Sequence, residues 1–120
     1  MGEGPGDLAS RRCVPCRKGT PPLDAAAAAG FLARIPAWEM PDGKRIERTF
    51  RFPDFATALA FVNRAGALAE AEDHHPDLHL SWGRVGVVLW THAAGGLTES
   101  DFILAAKLDR AFSDPPRGPA

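Results

Sequence analysis

Leu78-His79-Leu80-Ser81-Trp82-Gly83-Arg84-Val85-Gly86-Val87-Val88-Leu89 sets the architecture. Leu78, Leu80 and Trp82 alternate with His79 and Ser81, the period-two pattern of a strand with one buried face. Gly83 turns the chain, and Val85, Val87 and Leu89 alternate in a returning strand. Strands joined by so short a turn must be antiparallel. Pro76 bars helix just upstream, and Gly95-Gly96 breaks the second strand downstream.

Working outward, Arg45 to Phe52 also alternate. Ile46, Phe50 and Phe52 face one way, while Arg45, Glu47, Thr49 and Arg51 face the other, with Arg48 the one misfit. Pro41-Asp42-Gly43 is a turn signal, so Ala37–Met40 is predicted as the partner strand of a hairpin. Between the two hairpins, Asp54 caps a helix to about Glu72, with Phe55, Leu59, Val62, Gly66 and Ala69 on one face and Phe61 and Leu68 widening it. Asp24 caps an earlier helix through Ala25–Ala29 to about Arg34, and Pro36 lies just past its end. Thr98-Glu99-Ser100-Asp101 reads as a capping box, with Leu97 able to staple to Phe102; the third helix runs to about Phe112, before Pro115. The order is helix, two strands, helix, two strands, helix. This predicts an α+β domain, a four-stranded antiparallel sheet with three helices on one face.

Composition narrows the functional classes. The chain has 120 residues, 14 Lys+Arg against 15 Asp+Glu, and a net charge of −1, which argues against a nucleic-acid binder held by bulk electrostatics. No apolar run approaches the roughly 18 residues of a membrane span. Met1 to Ser10 has neither the basic start nor the apolar stretch of a secretory signal, so a cytoplasmic location is expected. Of the 23 Gly and Pro residues, eight fall in residues 1–22 and four in 113–120. The folded unit is therefore expected over 21–113, with flexible tails at 1–20 and 114–120. Cys13-Val14-Pro15-Cys16 is a lone Cys-x-x-Cys in the first tail. It supplies two of the four ligands zinc wants and lacks the context of a redox motif. Two solvated thiols, or a partial metal knuckle closed by another molecule, both fit.

All four histidines lie within nineteen residues: His74, His75, His79 and His92. Pro76 forces His75 out of the helical region, so His74 and His75 can line two sides of a pocket. If the strands around Gly83 pair, His92 comes back towards that corner. Imidazole both gives and takes a proton near neutral pH, which suits general acid–base work. On spacing alone, adjacent histidines are as well a surface pair as a site. Zinc also accepts three histidines, but Pro76 breaks the helical spacing from His75 to His79. His79 alternates onto the face opposite Leu78 and Leu80. Asp101 has a bland reading as a helix cap. Glu70, Glu72 and Asp73 crowd a helix C-terminus, where the macrodipole disfavours them, so they require partners.

Asp73-His74-His75-Pro76, Trp82-Gly83-Arg84-Val85, Leu89-Trp90-Thr91-His92 and Gly96-Leu97-Thr98-Glu99-Ser100-Asp101 together resemble the pterin-4a-carbinolamine dehydratase family. Trp38-Glu39-Met40, Arg48-Thr49-Phe50-Arg51-Phe52 and the helix from Asp54 carry the resemblance further, over roughly residues 21–110. Leu78 departs from an aromatic common in animal members, and Gly83 from a polar turn residue. The Cys-x-x-Cys-Arg segment resembles a bacterial variant and lies outside the family core.

The resemblance implies the fold already read. It also implies a hydro-lyase that dehydrates 4a-hydroxytetrahydropterin to the quinonoid dihydropterin without metal or redox cofactor, recycling the pterin of aromatic amino acid hydroxylases. The family's catalytic histidines fall on His74, His75 and His92, and its substrate-binding positions on Trp90 and Thr91 and on the acidic Glu70 and Asp101. Homodimers or homotetramers are implied, with a possible functional link to a pterin-dependent hydroxylase. The competing class is a non-catalytic dimeric binding module or assembly chaperone on the same fold. The full histidine set favours the enzyme.

Overall fold

Two aspartates start the first two helices. In the computed structural model of the protein, which describes residues 8–13 and 20–113, the Asp24 carboxylate accepts from the Ala27 amide at 2.8 Å and opens α1, Ala25–Leu32. Asp54 does the same for α2, Phe55–Glu72, accepting from Thr57 at 2.9 Å. Both caps satisfy amides that the first helical turn leaves orphaned. At the other end of α2, Asp73 takes the left-handed conformation at φ 52°. Aspartate tolerates that region better than most residues, and the bend sends the next two side chains off the helix.

Among the described residues the sheet has three strands: β1 Ile46–Arg51, β2 Asp77–Ser81 and β3 Arg84–Leu89, antiparallel in the order β1-β3-β2. The register pairs Phe50 and Leu80 with Val85, and Leu78 with Val87. The expected fourth strand at Ala37–Met40 is reduced to one bridge, in which Glu39 and Glu47 exchange two backbone bonds of 2.9 Å. The reason is local. Pro36 and Pro41 bracket the segment without amide donors, and the Trp38 amide is spent on a turn bond to the Ile35 carbonyl. β2 likewise ends one residue early. Trp82-Gly83 forms the turn, so Trp82 is 71% exposed at the hairpin tip rather than on the apolar face. Gly83 sits at φ +73°, and a side chain there would lie 3.1 Å from the Phe52 carbonyl oxygen.

The helices cover one face of the sheet. Ile46, Phe50, Val85, Val87 and Leu89 are buried beneath α2 and α3, the latter Glu99–Ser113. Phe50 packs against Phe61 and Phe112 with ring centroids 4.7 and 5.1 Å apart, and Phe31 of α1 stacks on Phe102 of α3. Arg48 shares this inward face. Its guanidinium lies over the Phe50 ring at 4.2 Å and donates to Asp109, which also accepts the Trp38 indole N–H at 2.8 Å. Burial pushes the Asp109 carboxyl up despite these two donors. Glu47, Thr49, Arg51, His79 and Arg84 alternate onto the uncovered face.

α2 buries a different stripe from the one its large residues suggest. Ala58, Phe61, Ala65, Ala69 and Glu72 face inward, whereas Phe55 and Leu59 are exposed. Alanines let the helix axis approach the sheet closely around one bulky ring, while Val62 and Leu68 are only partly buried at the edge of the core.

Residues 8–13 also differ from a tail. Leu8 is fully buried and Ala9 nearly so, and the Ala9 carbonyl accepts from Lys107 of α3 at 2.7 Å. Burying one leucine contributes roughly 1.5–3 kcal/mol towards the cost of ordering the segment, and its polar contacts with α3 add to this.

Candidate active site

The site forms where the end of α2 meets the end of β3. His74 and His75 follow the left-handed Asp73, so each leaves the helix in its own direction. Trp90 and Thr91 follow β3. Thr91 pairs with Gly96 in an isolated bridge, and a single 3-10 turn, His92–Ala94, fills the loop between them. Gly95 closes that loop at φ 69°. Antiparallel pairing of β2 with β3 then brings the two segments side by side, because Asp77 at the start of β2 pairs with Val88 near the end of β3.

A cavity of about 370 Å³ lies between them, lined by His74, His75, Trp90, Thr91 and His92 with Pro76 and the flanking aspartates. That volume lies within the roughly 300–1,000 Å³ of small-molecule sites. His92 itself is exposed, and its ring stacks on Trp90 with centroids 3.8 Å apart. No hydrogen bond among the described residues engages the ring nitrogens of His92.

Behind the cavity stands a buried polar network. Asp101, completely inaccessible to solvent, meets His74 Nε2 at 2.6 Å through one oxygen. Its other oxygen accepts from the Thr91 hydroxyl at 2.7 Å and the Thr98 amide at 2.9 Å. The Thr91 and Thr98 hydroxyls lie 2.9 Å apart. Asp101 thus caps α3 and also fixes the His74 ring, so the cap and the site are the same residue. An ionised Asp101 is acceptor-only, and against it His74 Nε2 would carry the hydrogen and leave Nδ1 facing away from the carboxylate.

His75 has the same kind of partner in a different setting. Its Nε2 meets Glu70 at 2.6 Å, with both side chains more than half exposed. Glu70 and Asp101, expected as substrate contacts, therefore stand behind histidines instead of lining the cavity. Thr91 lines it, but its hydroxyl hydrogen is committed to Asp101. Thr98 was missed by sequence reasoning; the capping-box pattern was the available signal. His79 lies exposed on the open sheet face and takes no part.

Cys13 is half-buried and donates towards the Ser100 carbonyl at 3.5 Å. Burial and the neighbouring Glu72 charge push its thiol up to about 12. Cys16 lies outside the described residues. Among the described residues no group of three or more His, Cys, Asp or Glu could hold a metal ion, and no helix is long and apolar enough to cross a membrane.

Fold and site together define a small α+β protein with a histidine-lined cavity at a helix–strand corner. The sequence pattern of the family described as pterin 4 alpha carbinolamine dehydratase matches residues 21–111. The chain belongs to that family. It is 48% identical over 104 residues to a provisionally named pterin-4-alpha-carbinolamine dehydratase of Rubrobacter xylanophilus, covering 87% of this chain and 97% of the relative. A protein of Chlorobium limicola with the same provisional name is 50% identical over 104 residues, covering 84% and 92%. Among solved structures, a Brucella melitensis protein described as a transcriptional coactivator/pterin dehydratase superposes with a TM-score of 0.71 at 37% identity, over 74% of this chain and 96% of that one. A pterin dehydratase-like protein described as a RuBisCO assembly factor in the alpha-carboxysome shares the fold at a TM-score of 0.55 and 22% identity, over 65% and 90%.

Proposed function

We propose that this chain is a hydro-lyase that converts 4a-hydroxytetrahydropterin to quinonoid dihydropterin and water. One observation carries the proposal: three imidazoles from two separated stretches of chain share the wall of one cavity. The reaction breaks a C–O bond at a ring carbon and an N–H bond beside it, forms a C=N bond and releases water. It moves protons and no net electrons, so positioned acids and bases are what it needs.

In this reading His74 is the base. Its Nε2–H is held by buried Asp101, and Nδ1 takes the ring proton as the C=N bond forms. Asp101 keeps the ring in that tautomer and stabilises the cation that results. His92, held by stacking on Trp90, gives a proton to the departing hydroxyl. His75, backed by exposed Glu70, orients the heterocycle. Trp90 supplies an apolar wall, and Thr91 steadies Asp101 instead of bonding the substrate. The exposed Phe55 and Leu59 on α2 support a self-associating chain.

Two measurements test this. The protein is expected to accelerate dehydration of a freshly generated hydroxypterin in proportion to its concentration. A pterin is expected to quench the fluorescence of Trp90, with the quench surviving Trp82→Phe, because Trp82 is at the far end of the hairpin, and vanishing in Trp90→Phe. Neither acceleration nor quench would overturn the dehydratase and leave the binding module.

A further inference from the structure

Glu72 is the last residue of α2, two positions before His74, and it is buried at a helix C-terminus where its charge is disfavoured. What holds it there is the segment Leu8–Cys13. The Cys13 amide donates to Glu72 Oε1 at 2.7 Å, and Arg12 pairs with Oε2 at 3.2 Å. Lys107 of α3 lies 3.7 Å from the same oxygen while donating to the Ala9 carbonyl. The segment reaches the start of α3 as well. Arg11 pairs with Glu99, and the Cys13 thiol reaches the carbonyl of Ser100, the residue before Asp101. Six residues therefore touch both the helix end that carries His74 and the helix start that carries Asp101. They precede the span matched to the family, which begins at residue 21.

We propose that Glu72 and the Leu8–Cys13 segment form a positioning unit, a strap that ties the end of α2 to the start of α3 and so sets the His74–Asp101 contact. The inference rests on the reading of His74 as a proton carrier. Glu72 does not line the cavity and touches no reacting atom, so it acts only through the position of His74. Burial would push the Glu72 carboxyl up, but the Cys13 amide and the charges of Lys107 and Arg12 outweigh it and keep the group ionised. The high Cys13 value keeps its thiol a neutral donor at the junction, slow to react while the strap is seated.

The test uses the full chain with Cys16→Ser, so that a single thiol reports. Three readouts are taken on Glu72→Ala: Cys13 reactivity towards an aromatic disulfide, the NMR resonance of the His74 Nε2 proton (assigned by its loss in His74→Gln), and dehydration kinetics. The expected result is a faster thiol, a shifted or broadened His74 resonance, and kcat lowered about tenfold with KM within about twofold. Glu72→Gln keeps an acceptor for the Cys13 amide and is expected to recover most of the loss. If Glu72→Ala does not fold, Leu8→Ala releases the strap without touching α2 and is read the same way. A fast thiol with an unchanged His74 resonance overturns the proposal, as does a thiol that stays slow. If the unaltered chain shows no dehydration at all, the dehydratase reading fails, while thiol and resonance still decide on the strap.

Discussion

His74 and His75 are neighbours in the chain, and each meets a carboxylate at 2.6 Å, yet the two pairs are built differently. His74 and Asp101 are almost wholly removed from water, and Asp101 has two further donors from Thr91 and Thr98. His75 and Glu70 sit in solvent. A buried carboxylate whose donors converge fixes a ring in one place, because losing any donor leaves polar groups unsatisfied. An exposed pair competes with water and salt and contributes about 0–1 kcal/mol. The same dipeptide thus holds one histidine fixed and leaves the other in solvent, which is the division the proposed mechanism uses.

The largest break in that contrast is expected from Asp101→Ala. It removes the acceptor shared by the Thr91 hydroxyl, the Thr98 amide and the His74 ring. Urea unfolding should show a loss of about 2–4 kcal/mol, and the dehydration rate should fall about a hundredfold or more. A smaller effect is expected from acid. The Glu72 carboxyl is held below its ordinary 4.5 in the folded chain, so its contribution is present above that value and is lost as pH falls through the lower, folded value. Unfolding midpoints measured from neutral pH to below 4.5 should therefore drop more steeply for the unaltered chain than for Glu72→Gln. The smallest effect belongs to the exposed pair. Glu70→Gln should move stability by less than about 0.5 kcal/mol and the rate by less than about threefold. A Glu70 effect as large as that of Asp101 would erase the distinction between the two histidines.

Much of this was legible in the sequence, and the exceptions have physical causes. Asp24, Asp54 and the Thr98–Asp101 pattern fix helix starts because capping is a local exchange of hydrogen bonds, visible in a few residues. The hairpin around Gly83 is equally local. The three histidines could be grouped because the hairpin returns the chain to its own start. Long-range balance was not legible. Arg48 looked like a misfit until Asp109 and the Phe112 ring, about sixty residues on, joined neighbouring Phe50 in giving it an inward place. The inward stripe of α2 depends on alanines, whose small size signals closeness only once the sheet is known. Asp101 read as a cap or as a substrate contact, and its meeting with His74 needed the folded corner. Leu8–Cys13 read as tail by composition, since nothing near it in sequence shows Glu72 waiting for donors.

In the proposed mechanism His74 and His92, from two separate stretches of chain lining one cavity, carry the protons of dehydration. Single-turnover dehydration of freshly generated hydroxypterin should be measured for the unaltered chain, His74→Ala, His92→Ala and the double variant, with folding checked by circular dichroism. Each single change is expected to slow the reaction about a hundredfold or more, with the fold kept. A folded double variant that turns over at the unaltered rate would contradict the account.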